Sequence, residues 1–307
     1  MRSLLSAEHF HSEDAAYAFV EARLWPDGPV CPHCGATAER VGRLQGKTTR
    51  PGLYKCYACR KPFTVKMGTV FESSHVPMRV WLQAIHLICS SKKGISTRQL
   101  QRTFQCGMKT AWFLGHRIRE AMGVHPDAFG PIGGAGKVVE ADETVISKST
   151  KTRRVKGERA NTQIFSLVER GGALRSKFID HTNVRAELWA NLNPDSTLYT
   201  DGAMHYRHFV ADHEYVDHSK REWKRGDAHT NTLEGFFSIL KRGLIGVYQH
   251  VDKKHLSRYL AEFDFRYNNR AAKGIDDSER ADRALVGAKG KRLTYRTTGR
   301  APIEPPF

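Results

Sequence analysis

The sequence predicts a multidomain α+β protein: a small cysteine-stapled module, then a helical segment, then an α/β domain. Three observations predict it. Two Cys-x-x-Cys pairs, Cys31/Cys34 and Cys56/Cys59, stand where the apolar pieces are too short to make a core unaided. Helical patterns then run to about Met122, and the stretch Gly123 to Gly136 breaks them with five glycines and two prolines. Beyond it, β-branched runs alternate with helical ones. These breaks divide the chain into residues 1–72, 73–122, a linker at 123–136, 137–275 and a basic tail at 276–307.

In the first module, residues 12 to 24 read as a short helix with Ser12 as N-cap and acids in its first turn. Trp25-Pro-Asp-Gly-Pro29 ends it. The two cysteine pairs are separated by 21 residues. Each Cys-x-x-Cys turn aims two thiolates at one centre, so Cys31, Cys34, Cys56 and Cys59 predict a tetrahedral Zn2+ site of the zinc-ribbon kind. The basic residues around it suit contact with a DNA backbone.

Val80 to Ile88 is helical in pattern, and a helix-turn-helix reading follows. Ser96 or Thr97 caps a first helix to Phe104, Cys106-Gly107 makes the turn, and Lys109 to Arg119 forms the second helix. Trp112 and Ile118 are expected to face the first helix. Lys109, His116, Arg117 and Arg119 are expected outside, as DNA-binding residues.

The α/β domain holds the chemistry. Strands are expected at 137–146, 162–169, 174–180 and 197–201, and helices near 185–192, 231–242 and 253–267. The run Lys137 to Ile146 is β-branched but carries three acids, of which Asp142 shares a face with Glu140 and Thr144 while Glu143 takes the other. Acids inside an apolar strand are costly unless they bind a cation or protrude at an active-site edge. A second apolar strand ends in Asp201-Gly202. In the helix, Leu233, Phe236, Phe237 and Leu240 form one apolar stripe, with Glu234 and Lys241 on its flank. Carboxylates from two strands and a helix suit two divalent ions about 4 Å apart.

The chain has 49 Lys and Arg against 32 Asp and Glu, a net charge of +17. So large a surplus points to a polyanionic partner, nucleic acid before a membrane surface. No signal peptide and no membrane span is read from the sequence, and an intracellular location is expected.

Specific motifs carry a resemblance. Trp25-Pro-Asp-Gly-Pro-Val-Cys-Pro-His-Cys-Gly35, Ala141-Asp-Glu-Thr144, Tyr199-Thr-Asp-Gly202, His229-Thr-Asn-Thr-Leu-Glu-Gly-Phe-Phe-Ser-Ile-Leu-Lys-Arg242 and Glu262-Phe-Asp-Phe-Arg-Tyr-Asn268 occur in that order. The chain so resembles bacterial insertion-sequence transposases of the DDE class, in particular the ISXO-like group with an N-terminal zinc ribbon. The resemblance implies an RNase H-like α/β catalytic domain with a mixed sheet. It also implies Mg2+ (or Mn2+) dependence, binding of terminal inverted repeats, and DNA cleavage and strand transfer. Asp142 and Asp201 match the family's two aspartates, Glu234 the third acid and Lys241 the basic residue two turns later. Some members carry Asn at the third position, which keeps Asn231 as a rival catalytic residue. The implied partners are double-stranded DNA, as element ends and target, and further copies of the chain, in a nucleoid-associated cytoplasmic setting. Two other readings stand beside it: an RNase H-fold nuclease or resolvase that cuts without joining, and a DNA-binding regulator with an inactive catalytic domain.

Overall fold

The computed structural model describes residues 3–123, 130–147, 161–179, 184–203, 206, 209–210, 212–217 and 220–294. Linker residues 124–129, Asp180 at the end of an expected strand, and the tail beyond Thr294 lie outside the described residues.

Helix α1 (Glu13–Leu24) starts at the expected cap: Ser12 Oγ accepts the Ala15 amide at 3.3 Å, with Glu13 and Asp14 in the first turn. Three short strands, β1 (Val41–Arg43), β2 (Tyr54–Cys56) and β3 (Pro62–Phe63), make an antiparallel sheet in that order. Helix α2 (Met78–Ser90) begins after Pro77, which has no side-chain acceptor. The Glu13 carboxylate of α1 accepts instead, from the Met78 and Arg79 amides at 2.6 and 3.2 Å. Helices α3 (Thr97–Thr103) and α4 (Met108–Met122) follow, α3 capped by Ser96 Oγ on the Gln99 amide at 3.2 Å.

The second half is built on a five-stranded sheet of β4 (Val138–Ser147), β5 (Asn161–Glu169), β6 (Leu174–Ile179), β7 (Thr197–Asp201) and β8 (His213–Val216), with α5 (Val184–Asn191) between β6 and β7. The spatial order is β6-β5-β4-β7-β8. β4, β5 and β6 are antiparallel neighbours, whereas β7 and β8 run parallel to β4. This is the mixed, RNase H-like arrangement that the resemblance implied. One face packs Val139, Ala141, Phe165 and Leu167 against Leu188 and Leu192 at the α5 end. The other packs Ile164, Val168 and Leu174 against α6 (Asn231–Gly243) and α7 (Lys253–Asn268). The α6 stripe of Leu233, Phe236, Phe237 and Leu240 is fully in this core. Burying each such side chain stabilises by about 1.5–3 kcal/mol, enough to hold the helix to the sheet.

β6 is a sheet edge, and α7 covers it. Asn268 bonds both the amide and the carbonyl of Leu174, at 2.7 and 2.8 Å, and Asp264 accepts the Ser176 amide at 2.7 Å. Two outward-facing amides that would otherwise recruit another strand are satisfied inside the chain.

Two elements depart from the sequence reading. β8 was not expected. The region from residue 276, expected as tail, instead forms helix α8 (Asp277–Val286), which returns to the first half of the chain. Its Ala284 and Leu285 join one core with Val20 of α1, Ile85 of α2 and Ile118 of α4.

Candidate active site

The four cysteines meet at one point. Cys31 Sγ lies 3.7 Å from Cys59 Sγ, Cys34 Sγ lies 3.6 Å from Cys56 Sγ, and all four sulfurs fall within 4.8 Å of one another. Zn–S bonds of about 2.3 Å in a tetrahedron put sulfurs about 3.8 Å apart, so the set is spaced for zinc and not for disulfides. The Cys59 amide donates to Cys56 Sγ at 3.5 Å, the type of bond that orients a ligating thiolate.

The carboxylates come from three elements. The β4–β7 register pairs Val138 with Thr197, Val139 with Leu198 and Glu140 with Tyr199. Two residues further along each strand, just past the last paired residues, are Asp142 and Asp201, side by side. On β4 the alternation sends Val139 and Ala141 to the α5 face, so Glu140 and Asp142 face α6. Burial first, and then the charge of Asp201, push the Asp142 carboxyl up to about 7. Glu143 and Glu234 add to the rise, while the Glu143 amide, donating to Asp142 Oδ1 at 2.7 Å, opposes it. Glu234 is thus within electrostatic reach of the strand acids, although α6 leaves it exposed. Among the described residues only the four cysteines gather three or more ligand atoms within 4.8 Å, so the three carboxylates converge without closing on one point. Gly202 has no positive φ, so the turn after Asp201 does not demand glycine.

Glu143 faces the other way. Burial, and after it the neighbouring Glu143 charge, raise the Tyr206 hydroxyl well above its ordinary pKa.

Known proteins match both halves of this arrangement. Residues 133–268 match the description ISXO2-like transposase domain, and residues 11–62 match a transposase zinc-ribbon domain. Over 287 residues the chain is 30% identical to an uncharacterized protein in transposable element ISH50 of Halobacterium salinarum, covering 86% of this chain and 93% of that relative. The chain belongs to the ISXO2-like transposase family.

In this ISXO2-like transposase, three of the four residues expected to point outward from α4 are buried instead. His116 and Arg119 are 1% exposed and Arg117 is 6% exposed. The Arg117 guanidinium donates to the Glu72 and Leu293 carbonyls at 2.9 and 3.2 Å. Arg119 Nε donates to Glu262 of α7 at 2.6 Å, and its guanidinium lies over the Tyr259 ring. His116 sits among the rings of Trp112, His255 and Tyr259, and burial drives it down to about 3, so it stays neutral. These three side chains serve the packing of α4 on its neighbours. Trp112 likewise meets His255 of α7. Lys109 is exposed at the start of α4, beside exposed Arg98 and Arg102 of α3.

Asn231 is exposed in the first turn of α6, and Lys241 is half-buried seven residues beyond Glu234. A buried cluster lies at the start of α6, beyond what the sequence pattern predicts. Glu140 is wholly buried and binds Arg170, the Thr232 hydroxyl and the start of α6. The available signal was its place on the Asp142 face. Among the described residues no helix is long and apolar enough to cross a membrane.

Proposed function

We propose that this transposase binds the ends of its own element and cuts and joins DNA at a divalent-ion site made by Asp142, Asp201 and Glu234. The observation that carries the reading is the Asp142 carboxyl, pushed up to about 7 by burial and by three neighbouring acids. Like charges gathered in a half-buried place are costly, and a divalent cation relieves that cost. The donor set fits Mg2+ or Mn2+, which take carboxylate oxygens. Such ions, when bound, neutralise charge on the phosphate oxygens and make water and a 3′-hydroxyl better nucleophiles. Asp142 and Asp201 supply oxygens from neighbouring strands, and Glu234 supplies the third from α6. Glu234 is favoured over Asn231 because a charged carboxylate suits a divalent ion better than a neutral amide. Lys241, further along α6, holds a DNA phosphate near the site.

DNA is held by surfaces away from the carboxylates. The zinc ribbon exposes Arg40, Arg43, Lys47 and Arg60, and the α3–α4 unit exposes Arg98, Arg102 and Lys109. Together with the net charge of +17, these suit a long phosphate backbone. Two element ends are joined in one reaction, so the working form is a homo-oligomer.

The test is a joining assay with a duplex copied from the DNA flanking the gene, labelled at its 3′-OH end, with Mg2+ and a supercoiled target. The expected result is a joined product. Outer-shell changes at metal sites cost about 10–100-fold, so losing a ligand in Asp142→Ala or Asp201→Ala is expected to cost about 100-fold or more. Cleavage without joined product would identify a nuclease or resolvase. Metal-dependent nicking absent from the parent chain would leave a DNA-binding regulator, and nicking that persists in both variants would refute the site.

A further inference from the structure

Glu140 precedes Asp142 by two residues on β4, and its buried carboxylate makes four hydrogen bonds. The Thr232 and Leu233 amides donate to Oε2 at 3.0 and 3.2 Å. The Thr232 hydroxyl and Arg170 Nε both donate to Oε1 at 2.8 Å. Arg170 is held in turn: it donates through Nη1 to the Asp227 carbonyl at 3.0 Å, and through Nη2 to the His229 carbonyl at 3.1 Å. His229 Nδ1 lies 2.8 Å from Arg170 Nη2 and 3.4 Å from the Asn231 amide, so this nitrogen is the acceptor and Nε2 carries the proton.

Thr230, at the N-cap position of α6, makes no side-chain cap bond. The first turn of a helix leaves amides without partners and carries about half a positive charge. Glu140 satisfies both needs from a different element. The start of α6 is therefore fastened to β4 by directional bonds, in addition to the apolar stripe. An apolar stripe resists separation from the sheet, yet tolerates small slides and rotations far better than the three bonds from α6 to one carboxylate do.

We propose that Glu140 is a positioning residue of the divalent site. It fixes the start of α6 on β4, and through it the distance of Glu234, next after Leu233, from Asp142, two residues along the strand. The proposal rests on the reading of Asp142, Asp201 and Glu234 as that site. The Glu140 carboxylate is spent on these protein bonds, so it acts through α6.

The test compares the full zinc-loaded chain with Glu140→Ala and Thr232→Val. Amide hydrogen exchange reads the anchoring, and binding of Mn2+ alone, followed by the loss of its free electron-resonance signal, reads the site. In Glu140→Ala the amides of residues 231–235 are expected to exchange about tenfold faster or more, with β4 and the second half of α6 unchanged. Mn2+ affinity is expected to fall about 10–100-fold, as for other residues that orient metal ligands. Thr232→Val, which removes one of the four bonds, shifts both readouts in the same direction by less. Unchanged exchange in the first turn would overturn the proposal. So would faster exchange with parental Mn2+ affinity, or a uniform loss of protection across the chain in both variants. If the parent chain binds no Mn2+, the two-ion reading fails instead, and the exchange result alone decides whether Glu140 anchors α6.

Discussion

Asp142 must be ionised to hold a cation, and the fold opposes that. Its carboxyl is raised from 3.8 to about 7, so between those values the folded chain holds a proton that the unfolded chain has lost. The contribution to stability is full below about pH 4 and is lost as the pH rises through about 7. With zinc retained and no other divalent ion added, Asp142→Asn is therefore expected to melt above the parent at pH 8. The difference should be about 2–4 °C for each kcal/mol of repulsion removed, and should close toward pH 5. Scanning calorimetry at the two pH values checks this, and equal melting at pH 8 would contradict it. The three acids stand out in the sequence because each sits against the grain of its segment: two in apolar strands, one on the flank of an apolar stripe. Glu140 broke the same rule, and the sequence offered only a cation or an exposed edge to explain it. A buried carboxylate can instead face a helix terminus brought from 92 residues away, as the Glu140–Thr232 bond does. No local pattern announces such a partner.

At the scale of elements, period and caps placed most helices and strands within a residue or two. The helix-turn-helix elements were legible too, but not the side of α4 that stays wet. Periodicity says which residues share a face; it does not say that α7 and the 72 and 293 carbonyls will cover that face. Helix α8 was missed because Asp277, Glu279, Arg280, Asp282 and Arg283 dominate it and only a few small or apolar residues pack inward. Strand β8 is four residues, half of them polar, and gains its identity from pairing with β7. The ribbon depends most on a single centre, since its core is little more than Tyr54, Phe63 and the cysteines. Cys56→Ser is expected to reduce bound zinc from one ion per chain to none. It should also abolish exchange protection in β1 to β3, while the five-stranded sheet keeps its own. Metal analysis with hydrogen exchange reads both; retained protection without zinc would contradict the structural role.

At the scale of the whole molecule, a buried ionic cluster links α4 to α7. Glu262 of α7 accepts Arg119 of α4 at 2.6 Å and the Tyr248 hydroxyl at 2.6 Å, and Arg266 pairs with it one turn on. The α3–α4 unit is thus bolted directly to the helix that covers the sheet. Removing one partner of a buried pair strands the other charge and costs about 3–5 kcal/mol. Glu262→Gln is expected to lower the unfolding free energy by that order in a denaturant titration, and a loss below about 1 kcal/mol would show that the cluster is not what couples the halves. We propose above that Asp142, Asp201 and Glu234, drawn together from β4, β7 and α6, form one divalent-ion site. Its most direct test is a crystal structure of the parent chain soaked in Mn2+, with anomalous scattering recorded. Anomalous peaks between the Asp142 and Asp201 carboxylates, with Glu234 on one of them, are the predicted result. Peaks elsewhere on the molecule, with none at these carboxylates, would rule out a divalent-ion site there.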